Sequence, residues 1–262
     1  MKSIVTRSLT PLEDSATQFY HCANCNYCVD AVWDEREIEH VCPTLQHHSP
    51  ALSFSGRGYM NLARALYEGE EFPLTTVADR VFTCTTCGNC ERICPIDLSP
   101  RDMNMGLRQV LFDQGAAPTA ILEYREQHLA TEAISAELIQ HIKVDKALVE
   151  SISLDAVDTV FLTGCTGENL VSSEIHAALD IVQQVHPNVD SIFRDGADVN
   201  GCCGKVFKEI GDTAAANEQL RGLSAKLNVY PNLARVIHVA TSCSDRFEDD
   251  PRVIDFPQWL TR

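Results

Sequence analysis

Twelve cysteines in 262 residues carry most of the chemistry available to this sequence. Four of them stand in "CTTCGNCERICP", which places Cys84, Cys87, Cys90 and Cys94 ahead of Pro95. In such a C-x2-C-x2-C-x3-C-P run, three thiolates spaced by two residues wrap one face of a [4Fe–4S] cubane. The fourth, after the proline turn, points away and ligates a neighbouring cluster. That logic demands a second run, and "CANCNYC" supplies Cys22, Cys25 and Cys28, with Cys42 ahead of Pro43. The expected ligand sets therefore cross. Cys22, Cys25, Cys28 and Cys94 surround one cluster, and Cys84, Cys87, Cys90 and Cys42 the other. A pair of structural zinc sites is the alternative, but a zinc ribbon spends two cysteines per C-x2-C and rarely needs a third at the same step.

Small residues inside the loops (Ala23, Thr85, Thr86, Gly88) leave room for backbone N–H groups to approach sulfur. His21, His40, His47 and His48 crowd the same region, yet both quartets are complete without them, so they are expected at the surface or behind the ligands.

The remaining cysteines are Cys165, Cys202, Cys203 and Cys243. Cys202 and Cys203 are adjacent, between Gly201 and Gly204. Neighbouring cysteines bridge each other badly, because a disulfide needs a Cα separation well beyond one peptide step and a specific dihedral angle. No apolar core follows the start of the chain in "MKSIVTRSLTPLEDS", and no run approaches the roughly 18 apolar residues of a membrane span. A cytoplasmic, reducing compartment is thus expected, where clustered cysteines act as metal ligands rather than disulfides. The formal charge of −16 argues against nucleic acid as a partner.

The elements that must position these thiols differ between the two ends. In the first part, "GRGYMNLARALYEGE" puts Tyr59, Leu62 and Leu66 on one helical stripe with Met60, Ala63 and Tyr67 beside it, and Gly69 ends it. "SPRDMNMGLRQVLFDQG" begins with Ser99 as N-cap and Pro100 at N1, turns Met103, Leu107, Val110 and Leu111 inward, and stops at Gly115. A cysteine-free helical stretch over about 119–153 connects the halves and is expected to pack between them. Beyond it, 158–164, 189–195 and 234–242 read as buried strands with helices between, the pattern of a parallel α/β sheet. The resulting expectation is a multi-domain chain: an N-terminal all-α domain over 1–117, a helical linker over 118–155 and a C-terminal α/β domain over 156–262.

Over about residues 18–115 the order of the two cysteine runs around "SGRGYMNLARALYEGE" resembles the α-helical ferredoxin module of heterodisulfide reductase. Similar modules occur in iron–sulfur subunits of anaerobic glycerol-3-phosphate dehydrogenase and of glycolate and lactate oxidation systems. The resemblance implies a compact helical domain whose two cubanes pass electrons in series. Residues 156–262 resemble the cysteine-rich CCG domain that often accompanies this module. It implies a further site from Cys165 in "FLTGCTGEN", Cys202 and Cys203 in "GCCG", and Cys243 in "VATSCSD". Cys165 and Cys243 stand at the expected carboxyl ends of strands, where a parallel sheet places its ligands. The chain departs from the pattern at Arg246, where a fifth cysteine belongs, and it has one such motif where the disulfide-cleaving polypeptide of heterodisulfide reductase has two. Four thiolates suffice for a third [4Fe–4S] cluster or for zinc. His238 is read as a core histidine rather than a ligand.

These readings make the chain an electron-transfer subunit of a heterodisulfide-reductase-like oxidoreductase. Its partners would be a flavoprotein dehydrogenase or reductase-type subunits, with peripheral membrane association allowed. Two rivals remain: catalysis on a thiol, disulfide or quinone at the CCG site, and a zinc-stabilised docking domain. No G-x-G-x-x-G follows a strand, so no bound nicotinamide or flavin is expected; neither a nucleophile elbow nor H-E-x-x-H occurs.

Overall fold

The structure, a computed structural model, describes residues 9–30, 40–138, 153–162, 164, 172–191, 202–239, 243, 246–247 and 250–262. The chain divides into two compact units. One comprises the residues up to Glu123 together with Phe207–Thr213, and the other Tyr124–Val206 together with Ala214–Arg262. Residues 207–213, within the stretch assigned from sequence to the C-terminal domain, thus group with the first unit.

The first unit is helical: α1 (Thr10–Glu13), α2 (Ala16–His21), α3 (Pro43–His47), α4 (Gly56–Tyr67), α5 (Leu74–Phe82), α6 (Asn89–Arg92), α7 (Pro100–Asp113) and the start of α8 (Thr119–Leu138). Apolar spacing explains the two central helices. Tyr59, Met60, Ala63 and Leu66 recur at helical intervals along α4 and are buried, as are Met103, Leu107, Val110 and Leu111 of α7. They share one core with Leu12 of α1, Phe19 of α2, and Val77 and Val81 of α5. Each fully buried leucine contributes about 1.5–3 kcal/mol relative to an exposed one. Tyr67, expected beside the inward stripe, is instead among the exposed aromatic residues. Ser99 stands at the N-cap position of α7 but makes no capping bond. Its hydroxyl goes to Glu91 Oε2, and its N–H donates to Gln18 Oε1 at 3.0 Å.

The second unit contains a four-stranded parallel sheet in the order β2-β1-β3-β4, from β1 (Thr159–Leu162), β2 (Val189–Ser191), β3 (Arg235–His238) and β4 (Val253–Asp255). Thr159 pairs with Val189 on one side and Arg235 on the other. Side chains alternate between faces along a strand, so each face of this sheet gathers its own core. Val160, Leu162 and Val236 pack with Leu223 and Leu227 of α11 (Thr213–Leu227). Phe161 and Ile237 pack with Ile175, Leu179 and Val182 of α9 (Ser172–Val185). Both faces are covered, as near-continuous apolar strands require. The edge strand β4 was not foreseen; its three residues are half-buried and too few to show a pattern. Helices α10 (Lys205–Ile210) and α12 (Phe256–Leu260) and a 3-10 turn at Leu154–Ala156 are also described in this half of the chain.

Because β1 lies between β2 and β3, the sheet reverses its winding at β1, and open parallel sheets of this kind as a rule take ligands beyond the carboxyl ends of the strands at that point. Cys243 follows β3 by five residues.

Candidate metal centre

The two ends of the first unit's cysteine runs are brought together by packing, not by local sequence. The N–H of Ser99 on Gln18 ties the turn after Cys94 to α2, directly before Cys22. The buried Thr44 donates its hydroxyl to the Thr83 carbonyl at 3.3 Å, and Asn89 donates Nδ2 to the Val41 carbonyl at 3.4 Å. These bonds draw the Cys42 segment onto the Cys84–Cys90 loop. As a result, Cys22, Cys25, Cys28 and Cys94 line one cavity, and Cys42, Cys84, Cys87 and Cys90 line another. The cavities hold about 380 and 330 Å³ of open space, part of it continuous with solvent.

The loops share a backbone. Counting from the first cysteine of each run, the third residue (Asn24, Thr86) has φ 53° in both, and the fifth (Asn26, Gly88) has φ 70° and 77°. A left-handed β-branched residue such as Thr86 is a strained conformer that only its surroundings hold in place. Arg57 secures the first loop from α4, donating Nε to Asn24 Oδ1 at 3.2 Å and Nη1 to Asn26 Oδ1 at 2.5 Å. Backbone N–H groups reach sulfur, from Thr86 to Cys84 and from Leu98 to Cys94, each at 3.4 Å.

Gly56, the first residue of α4, separates the two cavities. A Cβ there would stand 2.8 Å from Cys90 Cβ, 3.1 Å from Pro100 Cβ and 3.3 Å from Cys28 Cβ. The third cysteines of the two runs therefore face one another across a glycine, while the second cysteines, Cys25 and Cys87, are exposed. Burial pushes the Cys28 thiol up to about 11 and Cys90 to about 12, and raises Cys42 as well. Among the described residues, no three His, Cys, Asp or Glu side chains converge on a point suited to a single ion. A lone zinc needs its sulfurs drawn to about 2.3 Å, whereas four thiols around an open cavity fit a many-atom cluster.

Around the second cavity, α7 contributes a buried cation. Arg108 donates Nη2 to the Val81 and Cys84 carbonyls at 3.3 and 2.5 Å, and Nη1 to the Glu209 carbonyl at 2.7 Å in the 207–213 segment of the same unit. Gly211 permits that approach: it has φ +94°, and a Cβ would lie 2.5 Å from the Arg108 carbonyl oxygen. The four histidines of this region are all exposed; His40 pairs with Asp30 at 2.8 Å, and the His48 ring packs edge-on against Phe54.

In the second unit Cys202, Cys203 and Cys243 are buried, and Cys203 and Cys243 belong to one apolar cluster. Cys165 lies outside the described residues. Arg246 donates Nε to the Cys203 carbonyl at 3.0 Å and Nη2 to the Ala216 carbonyl at 3.1 Å. The Gly204 N–H donates to Cys202 Sγ at 3.3 Å. His238 is buried with its ring 6.5 Å from that of Phe247.

Sequence reading missed Gly56, Arg57 and Arg108, and placed Tyr59 only in the core stripe. Gly56 and Arg57 carry a faint signal, a glycine and a cation at the start of a helix between two cysteine runs. Arg108 shows only as a charge among the apolar residues of α7.

Residues 18–98 match the 4Fe-4S dicluster domain family. Among curated proteins, the chain is 24% identical over 194 residues to a polypeptide of the fumarate reductase (CoM/CoB) of Methanothermobacter marburgensis. It is 21% identical over 234 residues to an uncharacterized iron–sulfur protein of Methanococcus maripaludis. These alignments cover 70% and 87% of this chain but only 37% and 43% of the relatives, so the chain spans less than half the length of either. No solved structure matches. These matches support an iron–sulfur protein. Among the described residues, no helix is long and apolar enough to cross a membrane.

Proposed function

We propose that this chain is an electron-transfer subunit holding two [4Fe–4S] clusters, with Cys22, Cys25, Cys28 and Cys94 as ligands of one and Cys42, Cys84, Cys87 and Cys90 as ligands of the other. The observation that carries this reading is the pair of cysteine-lined cavities abutting across Gly56, each with one exposed cysteine. Such clusters, when bound, supply one-electron carriers. The residues of this chain hold them at a fixed separation, with the exposed Cys25 and Cys87 edges as entry and exit. Cys165, Cys202, Cys203 and Cys243 form a third centre of the CCG kind, supported by the burial of Cys203 and Cys243 in one cluster. The setting is a heterodisulfide-reductase-like complex with a flavoprotein or reductase-type partner. Similarity to a protein named as one subunit of a fumarate reductase supports a place as one polypeptide among several.

The test is the metal content of anaerobically purified chain. About eight irons with matching sulfide establish the two clusters, and about twelve add a cubane at the third centre. Eight irons with one zinc make the third centre structural. Near-zero iron after anaerobic reconstitution refutes the whole reading.

A further inference from the structure

Tyr59 lies on α4 one turn after Gly56 and lines the cavity of Cys42, Cys84, Cys87 and Cys90. Its side chain is 2% exposed, yet its hydroxyl has no hydrogen-bond partner among the described residues. Buried polar groups in native proteins are almost always satisfied, so an unpaired donor in a cavity wall points to a group that accepts from it. The sulfur beside that hydroxyl is that of Cys84, one of the four thiols lining the same cavity.

The other cavity is lined differently. There the adjoining residue of α4, Met60, takes part in the wall. The tyrosine of that cavity, Tyr27, is half-exposed and meets solvent. Its cation, Arg57, is committed to Asn24 and Asn26. Beside Tyr59, by contrast, the buried Arg108 donates to the Cys84 carbonyl. One cavity thus has a phenol in its wall, a buried cation behind it and Arg101 paired with Glu91, while the other has a thioether and Arg57 held by two asparagines.

We propose that the Tyr59 hydroxyl donates to a sulfur of the cluster held by Cys42, Cys84, Cys87 and Cys90. With Arg108 alongside, it makes that site the higher in potential of the two. This rests on the two-cluster reading above. Adding one electron there increases the negative charge that the phenol and guanidinium face; no bond breaks, and the proton stays on Tyr59. Hydrogen bonds to cluster sulfurs and local charge are both levers on potential. Tyr59 is therefore a tuning residue, and electrons delivered to this chain come to rest at the second cavity.

The experiment compares the full-length chain with its Tyr59→Phe variant, both reconstituted anaerobically and titrated with dithionite and mediators under low-temperature EPR. The variant should bind as much iron as wild type. One of the two signals should titrate lower, its reduced-to-oxidised ratio at the wild-type midpoint falling about tenfold, which is 59 mV for a one-electron couple. The other signal should not move. In a Cys25→Ala background, which leaves only the second quartet whole, the surviving signal should carry the shift. Unmoved midpoints, a shift confined to the other signal, or iron loss in Tyr59→Phe alone would overturn the proposal. A wild-type chain that takes up no iron overturns the two-cluster reading as well, so the two failures are distinguishable.

Discussion

Replacing Gly56 by alanine tests whether the two cavities share a wall. The new methyl would stand 2.8 Å from Cys90 Cβ, 3.1 Å from Pro100 Cβ and 3.3 Å from Cys28 Cβ. None of these is the free end of a flexible side chain. Pro100 is a buried ring at the start of α7, Cys28 ends a loop held by left-handed Asn24 and Asn26, and Cys90 lies in α6 just after left-handed Gly88. Forcing a methyl into such a space costs about 1–3 kcal/mol. Against this, alanine gains at most about 1 kcal/mol over glycine in a helix, and less at its first position. Destabilisation wins, by roughly 1–2 kcal/mol. The cluster sites should suffer more, because Cys28 and Cys90 must move apart by a few tenths of an ångström. We expect Gly56→Ala to lower the urea midpoint of the iron-free chain and to lose iron on reconstitution. Gly222→Ala, where a Cβ in α11 meets nothing within 4 Å, should instead stabilise by about 0.5–1 kcal/mol. A Gly56→Ala chain with wild-type iron and unchanged or higher stability would refute the shared wall.

Crossed ligation predicts a pattern of epistasis. Cys22→Ala and Cys94→Ala should each lose about four irons and the double variant the same four, whereas Cys22→Ala with Cys42→Ala should lose about eight; eight lost from the Cys22/Cys94 pair would rule the crossing out. The buried thiols set a pH dependence for the reduced, iron-free chain. With Cys28 at about 11 and Cys90 at about 12 when folded, against about 9 in their ordinary state, the unfolded chain binds fewer protons over that interval. Stability is therefore complete below pH 9 and falls as pH rises toward 11–12; urea melts that stay flat or rise through this window would contradict it. Arg246→Ala leaves the carbonyls of Cys203 and Ala216 without their donor and should destabilise the loop by about 1–3 kcal/mol. Arg246→Lys should recover little, since an ammonium cannot reproduce the fork. Hydrogen exchange at Cys203 and Gly204 reads this, and unchanged protection in Arg246→Ala would dismiss the clamp.

What the sequence by itself determined is whatever depends on local spacing. Thiols two residues apart follow from the reach of a short loop, so both runs and their two cysteine–proline ends were legible. Of the residues that the helical period turns inward, Tyr59, Leu66, Met60 and Ala63 of α4 and Met103, Leu107, Val110 and Leu111 of α7 are buried, though Leu62 is only partly so and Tyr67 is exposed; strands separated by helices implied a parallel sheet. What only the tertiary structure decided is where distant segments meet. The bonds from Thr44 to Thr83 and from Ser99 to Gln18 join residues 39 and 81 positions apart, and no local pattern records them. Spacing makes Tyr59 one more member of an apolar stripe; only packing turns its hydroxyl into a cavity wall. Ser99 satisfies the rule for a helix cap, yet Glu91 competes for its hydroxyl once α6 lies beside α7. The same holds for Gly56, whose missing side chain matters because Cys28 and Cys90 approach it from opposite runs. Local spacing chooses the ligands, and burial between segments decides their neighbours, because a side chain's environment is made by whatever the fold packs against it.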